Sequence, residues 1–375
     1  MLRLCLRPPS VLSQIAKRTM SSTESEVLFD CDGAARIITL NRPKALNALN
    51  LSMVRQIYSQ MKKWLNDDKA GLVFIKGAGE KAFCAGGDVL SVTQSAKSGG
   101  TIHKEFFREE YMLNYLIGTY KLPYVALIDG ITMGGGCGLS IHGDFRVATE
   151  KTLLAMPETA LGLFPDVGGS FFLPRLPGKL GMMLALTGYR LKGVDVFHSG
   201  LATHYVESKN IAEIENELIK LPKSKCNNER IEKILNKFTP EHVPGFSLQS
   251  HLETINTTFN GKSVENIIEK LTAKGDDFSK KQVDELMKMS PTSLKVTYQQ
   301  LINGSVTDFP SVFTMEHRMG YHFLEAYDFY EGCRAILIDK DRNPKWKPSK
   351  LEDVSVDTVN KYFGPVHGVE DLILA

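Results

Sequence analysis

Two apolar, β-prone stretches of this 375-residue chain run straight into glycine-rich loops. The first meets F-C-A-G-G-D at 83–88, and the second enters D-G-I-T-M-G-G-G-C-G-L at 129–139. A residue without a Cβ lets backbone come close to a ligand, and a helix that begins at such a glycine presents N–H groups with no intrahelical partner. Two such groups aimed at one point would hold an oxygen as it turns negative, each donor contributing roughly 3 kcal/mol. Taken alone, the same loops read as tight strand-to-helix turns.

The surrounding pattern is that of an α/β protein. Strands are expected at Ala35–Leu40, Val73–Ile75, Tyr124–Ile128, Phe145–Ala148 and Leu153–Ala155. Between the first two, Leu51, Val54, Ile57, Met61 and Leu65 recur at helical spacing. Strands alternating with helices place the strand ends at the glycine loops. Past Leu221 glycines thin out, and 222–332 reads as helices rich in lysine and glutamate, followed by an irregular Lys-, Pro- and Trp-containing stretch at 340–350. The expected division is therefore a core at 25–221 and a helical C-terminal region at 222–375.

Charge and cysteine usage exclude several classes. The net charge of +2 gives no footing for nucleic acid. No apolar run reaches the roughly 18 residues of a membrane span. Residues 1–20 contain Arg3, Arg7, Lys17 and Arg18 but no acid, so the remainder carries +2 − 4 = −2. A basic, serine-containing, acid-free leader is expected to be a mitochondrial transit peptide, delivering the chain to the matrix. Cys5, Cys31, Cys84, Cys137, Cys226 and Cys333 show no C-x-x-C spacing, and the nine histidines form no H-E-x-x-H. Neither a disulfide framework nor a metal site is expected.

The third informative segment is M-P-E-T-A-L-G-L-F-P-D-V-G-G at 156–169, with Glu158 and Asp166 on either side of an apolar stretch. Carboxyls in apolar surroundings are pushed up in pKa, as a general base or acid requires. Without the glycine loops, Glu158 would read as a helix cap or ion-pair partner.

Together K-A-L-N-A-L at 44–49, F-C-A-G-G-D at 83–88, G-I-T-M-G-G-G at 130–136 and A-M-P-E at 155–158 resemble, in order and spacing, the successive motifs of the crotonase superfamily. The resemblance implies the crotonase (ClpP-like) spiral of ββα units with a helical C-terminal region. It places an oxyanion hole at the N–H groups of Gly87 and Gly135, and the adenine end of CoA beside Ala45 and Ala85. It implies an acyl-CoA substrate and no separate cofactor, and leaves self-association open.

The departures indicate the reaction. A hydratase of this family resembles G-G-G-C-E-L where this chain has Gly138, so one of the two hydratase acids is missing. Glu158 aligns with the other, and Asp166 stands where a hydratase usually has a small residue. The stretches F-F-R-E-E-Y-M-L-N at 106–114, F-P-D-V-G-G at 164–169, S-P-T-S-L-K-V-T at 290–297 and E-G-C-R-A-I-L-I-D-K-D-R-N-P-K-W at 331–346 resemble the family's β-hydroxyacyl-CoA hydrolases. That resemblance spans roughly 25–363 and implies a role in valine breakdown. It makes Glu158 the nucleophile or the base for water, two routes that stay open. It gives Asp166 the 3-hydroxyl or the water, and sets Glu110 in the acyl pocket, with Glu109 one register away.

Other readings are weaker. G-G-G-C-G after a strand lacks the G-x-G-x-x-G frame of a dinucleotide site. G-L-S-I-H misses a nucleophile elbow by one residue, so Ser140 is expected to pack in a helix. Cys84 has no histidine partner and reads as a small apolar residue, and His317 and His322 read as structural. An enoyl-CoA hydratase or isomerase is opposed by Gly138 and Asp166; a non-catalytic RNA-binding or scaffold protein is opposed by the intact carboxylates.

Overall fold

A computed structural model describes residues 25–374. Ten strands occur in chain order: β1 Val27–Asp32, β2 Ala35–Leu40, β3 Leu72–Gly77, β4 Ala82–Cys84, β5 Tyr124–Ile128, β6 Ile131–Met133, β7 Phe145–Ala148, β8 Leu153–Ala155, β9 Leu191–Lys192 and β10 His204–Tyr205. Six form one sheet in the order β1-β2-β3-β5-β7-β10; the other four form a second, β4-β6-β8-β9.

This arrangement comes from a repeated step. β3, β5 and β7 lie parallel in the large sheet, and after each the chain turns and lays β4, β6 or β8 into the small one. The turn after β5 uses Gly130 at φ +123°, where a Cβ would stand 2.7 Å from the Lys81 carbonyl oxygen. Only glycine fits such a corner. The segment 129–139 is therefore not one loop as the sequence suggests, because its middle is a strand.

Both faces of the large sheet are covered, which is why its strands read as unbroken apolar runs. Ile38, Leu40, Val73, Ile75, Tyr124, Ala126 and Ile128 face the main core. Their neighbours Ile37, Leu72, Phe74, Val125 and Leu127 face a smaller one, closed by the helices Ile211–Ile219 and Asn228–Asn236. The main core runs continuously from Val27 to Leu372. Leu51, Val54, Ile57 and Met61 point into it from the helix Leu51–Trp64, whose first turn is capped by Asn50 accepting from the Met53 N–H.

The helix Ile102–Gly118 carries the F-F-R-E-E-Y motif. Helices continue through Pro291–Gly304, Phe309–Glu325 and Tyr327–Cys333, and these three pack on the segment 157–170 rather than apart from it. Phe164 of that segment stacks on Phe323, with ring centroids 5.3 Å apart, and both are fully buried. Burying a side chain of this size contributes about 1.5–3 kcal/mol, so the acidic segment is fixed to the C-terminal helices. No helix among the described residues is long and apolar enough to cross a membrane.

Candidate active site

A cavity of about 820 Å3 opens between the ends of the small sheet and the C-terminal helices, and Ala45, Ala85, Gly87, Glu110, Gly135, Glu158 and Asp166 all line it. Every residue nominated from sequence thus stands around one space. The edge near Ala45 and Ala85 is zipped by backbone bonds: Ala85 N–H donates to Leu46 O at 3.0 Å, and Leu49 N–H to Gly86 O at 2.8 Å.

Gly135 begins the short buried helix Gly135–Ser140, entered through Gly134 at φ +45°. A Cβ on Gly135 would stand 3.2 Å from the Gly87 nitrogen and 2.5 Å from Glu110 Oε1; one on Gly134 would stand 2.8 Å from Glu158 Oε1. These close approaches require glycine and draw the two loops and two carboxyls together. Among the described residues no backbone carbonyl outside the helix accepts from the Gly87 or Gly135 N–H. Two backbone donors without a backbone acceptor thus belong to residues lining one cavity, an arrangement suited to holding an oxyanion.

Glu110, Glu158 and Asp166 are 2 %, 5 % and 5 % exposed. Burial, and then the nearness of Asp166, drives Glu110 and Glu158 well above the ordinary carboxylate range. Glu110 Oε1 and Glu158 Oε2 have no hydrogen-bond partner within the protein. Asp166 is also raised by burial, but only to about 7, because the Tyr111 hydroxyl donates to its Oδ2 at 2.9 Å and favours the anion. Glu158 adds to the rise at Glu110. Glu109 is turned outward, paired at 2.6 Å with Arg55, which leaves Glu110 as the acid facing the cavity.

The loop around Asp166 is held by four bonds from three side chains. Glu316 accepts N–H bonds from Gly168 at 2.8 Å and Ser170 at 2.9 Å. Gln300 Nε2 donates to Pro165 O at 2.6 Å, and His142 Nε2 donates to Val167 O at 2.7 Å. Burial lowers His142 to about 4, consistent with a neutral ring donating from Nε2. These bonds hold Val167 at φ +52°, a conformation costly for a β-branched residue. Tyr111, His142, Gln300 and Glu316 were not found from sequence. F-F-R-E-E-Y contained Tyr111, but nothing local marks the other three.

Ser140 is buried and bonds to Gly136 O at 2.9 Å within its helix. Cys84 is buried, and its thiol is raised to about 12, unsuited to nucleophilic work at neutral pH. His317 and His322 do not line the cavity.

At Gly138 a Cβ would meet Asn114 Nδ2 at 2.7 Å and Val167 Cβ at 2.8 Å. No room is left for a side chain at this position. Gly138→Glu is expected to destabilise the fold by about 1–3 kcal/mol through overpacking and to confer no hydration. Thermal unfolding together with the absorbance of crotonyl-CoA checks both; gain of hydratase activity would contradict this account of the position.

Two sheets joined by ββ steps, with two glycine loops and three buried acids lining one cavity, are the features of a crotonase-type enzyme. The enoyl-CoA hydratase/isomerase family matches residues 35–363, and the chain belongs to it. More particularly, the chain is similar to proteins named 3-hydroxyisobutyryl-CoA hydrolase, mitochondrial. The Xenopus tropicalis protein is 55% identical over 91% of this chain and 89% of its own length. The Gallus gallus protein is 53% identical over 95% and 94%, and the Homo sapiens protein 50% over 95% and 93%. Among solved structures, a carnitinyl-CoA dehydratase from Mycobacterium thermoresistibile superposes with a TM-score of 0.86 at 36% identity, covering 93% of this chain and 98% of that one. An enoyl-CoA hydratase from Rhodobacter sphaeroides 2.4.1 gives 0.83 at 33%, covering 91% and 98%. These solved neighbours are named dehydratase and hydratase, whereas the more identical relatives are named hydrolases.

Proposed function

We propose that the chain hydrolyses 3-hydroxyisobutyryl-CoA to 3-hydroxyisobutyrate and CoA in the mitochondrion, with no cofactor beyond the CoA of the substrate. The observation that carries this reading is the meeting of two unclaimed N–H groups, at Gly87 and Gly135, with Glu158 and Asp166 in one cavity. The thioester oxygen accepts from both N–H groups. Glu158 either adds to the carbonyl carbon, giving an anhydride that water opens, or removes a proton from an attacking water. In both routes the C–S bond breaks, CoA leaves as thiolate, and one water is consumed. Asp166, fixed through Tyr111, receives the 3-hydroxyl or orients the water, and Glu110 bounds the acyl pocket. Ala45 and Ala85 flank the nucleotide end.

Release of free thiol from 3-hydroxyisobutyryl-, 3-hydroxypropionyl-, crotonyl- and acetyl-CoA tests this. Fast release from the two β-hydroxyacyl substrates is expected; loss of crotonyl absorbance without thiol release would overturn it.

The pH dependence has a definite sign. The ionised carboxylates do the work, and burial raises them, so kcat climbs with pH through a midpoint above the ordinary carboxylate value. Tyr111→Phe removes the donor that favours the Asp166 anion, so the limb attributable to Asp166 moves to higher pH. A pH–rate profile unchanged in this variant would separate Asp166 from the rate-controlling titration.

A further inference from the structure

A second cavity of about 900 Å3 adjoins the first, and Pro157, Ala160, Arg190 and Ile336 line both. Pro157 precedes Glu158 and Ala160 follows it in the turn Glu158–Leu161, so the two spaces meet at the turn that carries the proposed nucleophile or base. The second cavity is cationic. Arg190, Lys281 and Arg342 line it with no ion-pair partner among the described residues, while its acid, Glu285, is already paired with Lys288 at 2.9 Å. Gln282 also lines it; this side chain is 1 % exposed, and neither its Oε1 nor its Nε2 has a hydrogen-bond partner within the protein. Unmet amide groups at this depth are costly, and a native structure rarely leaves them so without a reason.

The chemistry of the lining selects a ligand class. A glutamine amide offers both donors and an acceptor, which suits a molecule carrying a hydroxyl beside an anionic group. The surrounding guanidinium and ammonium groups supply charge-assisted bonds to a carboxylate. We propose that this basin is a binding site for a small hydroxycarboxylic acid, and that it receives the acid released at Glu158 while CoA still occupies the catalytic cavity. The inference rests on the hydrolase reading, since hydrolysis places such an acid one turn of chain from the basin. Arg190, common to both cavities, stands at the junction.

The test uses the full chain and 3-hydroxyisobutyrate as the probe. Titrated calorimetrically into protein saturated with CoA, the acid is expected to bind. As an inhibitor of thioester hydrolysis it is expected to lower kcat rather than compete with the substrate. Arg342→Ala and Gln282→Met, outside the catalytic cavity, should each weaken the acid by about tenfold, the scale of one lost polar anchor. In both, kcat/KM should stay within about twofold of the parent. Should Gln282→Met fail to fold, Arg342→Ala carries the test. Purely competitive inhibition, or affinity unchanged in the folded variants, would overturn the site. Equal binding of inorganic phosphate would reduce the basin to an unselective cationic rim and overturn its selectivity for hydroxy acids. Absence of thiol release by the parent chain would instead strike the hydrolase reading, and calorimetry would still decide whether the basin binds the acid.

Discussion

Glu158→Gln should lower turnover by roughly two orders of magnitude or more while leaving the protein folded, because the amide can neither attack the thioester nor take a proton from water. The side chain is buried, with one oxygen unpartnered, and burial raises its carboxyl well above the ordinary range. A group whose folded pKa is raised binds more protons folded than unfolded, so ionising it withdraws stability as pH rises. Replacing it with a neutral isostere removes that penalty, and the variant is expected to unfold at a temperature equal to or above that of the parent at pH 8. Thiol release and a thermal melt measured on one preparation check both halves. Parent-like turnover would remove Glu158 from the chemistry; a collapsed melt would make the loss of rate uninformative about its role.

The second large effect is expected at Glu316, which touches no part of the cavity. Glu316→Ala leaves the Gly168 and Ser170 N–H groups buried without acceptors, a cost of about 1–3 kcal/mol for each. It also frees the loop that holds Asp166, so kcat falls with the stability. Glu316→Gln retains one acceptor and should show about half the loss of stability. Burial raises Glu316 to about 8 despite its two donors. The parent therefore loses stability from this group as pH climbs from the ordinary carboxylate range through about 8. In the Gln variant that part of the slope disappears. Urea melts across pH 5–9, read beside the pH–rate profiles, distinguish a positioning role from simple destabilisation. An unaltered kcat in folded Glu316→Gln would show that the loop's hold on Asp166 does not depend on this charge.

Much of this site was legible because its chemistry is concentrated in short segments. Gly87, Gly135, Glu158 and Asp166 sit in loops whose glycines and acids stand out against apolar flanks, and all line the cavity. The parts not legible depend on contacts across long separations. Glu109 and Glu110 differ by one residue on one helix, and their roles are divided by Arg55, 54 residues earlier. Glu316 and Gln300 resemble any polar residues on amphipathic helices until the fold sets them under the loop 165–170. Of the small sheet only β8 was read from sequence; β4 and β6 are three residues each, too short for alternation to register, and β6 lies among glycines that suggest a loop. The long helix Ile102–Gly118 shows only its motif, since its buried face mixes Phe106, Phe107 and Tyr111 with Glu110 and Asn114.

The grip of Glu316 on Gly168 spans 148 positions of chain. Synthesis and threading across a membrane both proceed along the chain, so the acidic loop emerges long before the side chain that fixes it. A polypeptide caught midway holds Gly87, Gly135, Glu158 and Asp166 but not the helices that fix the loop 165–170. The bonds that fix the acidic loop can thus form only once almost the whole chain has arrived, and the C-terminal helices are the last piece of assembly.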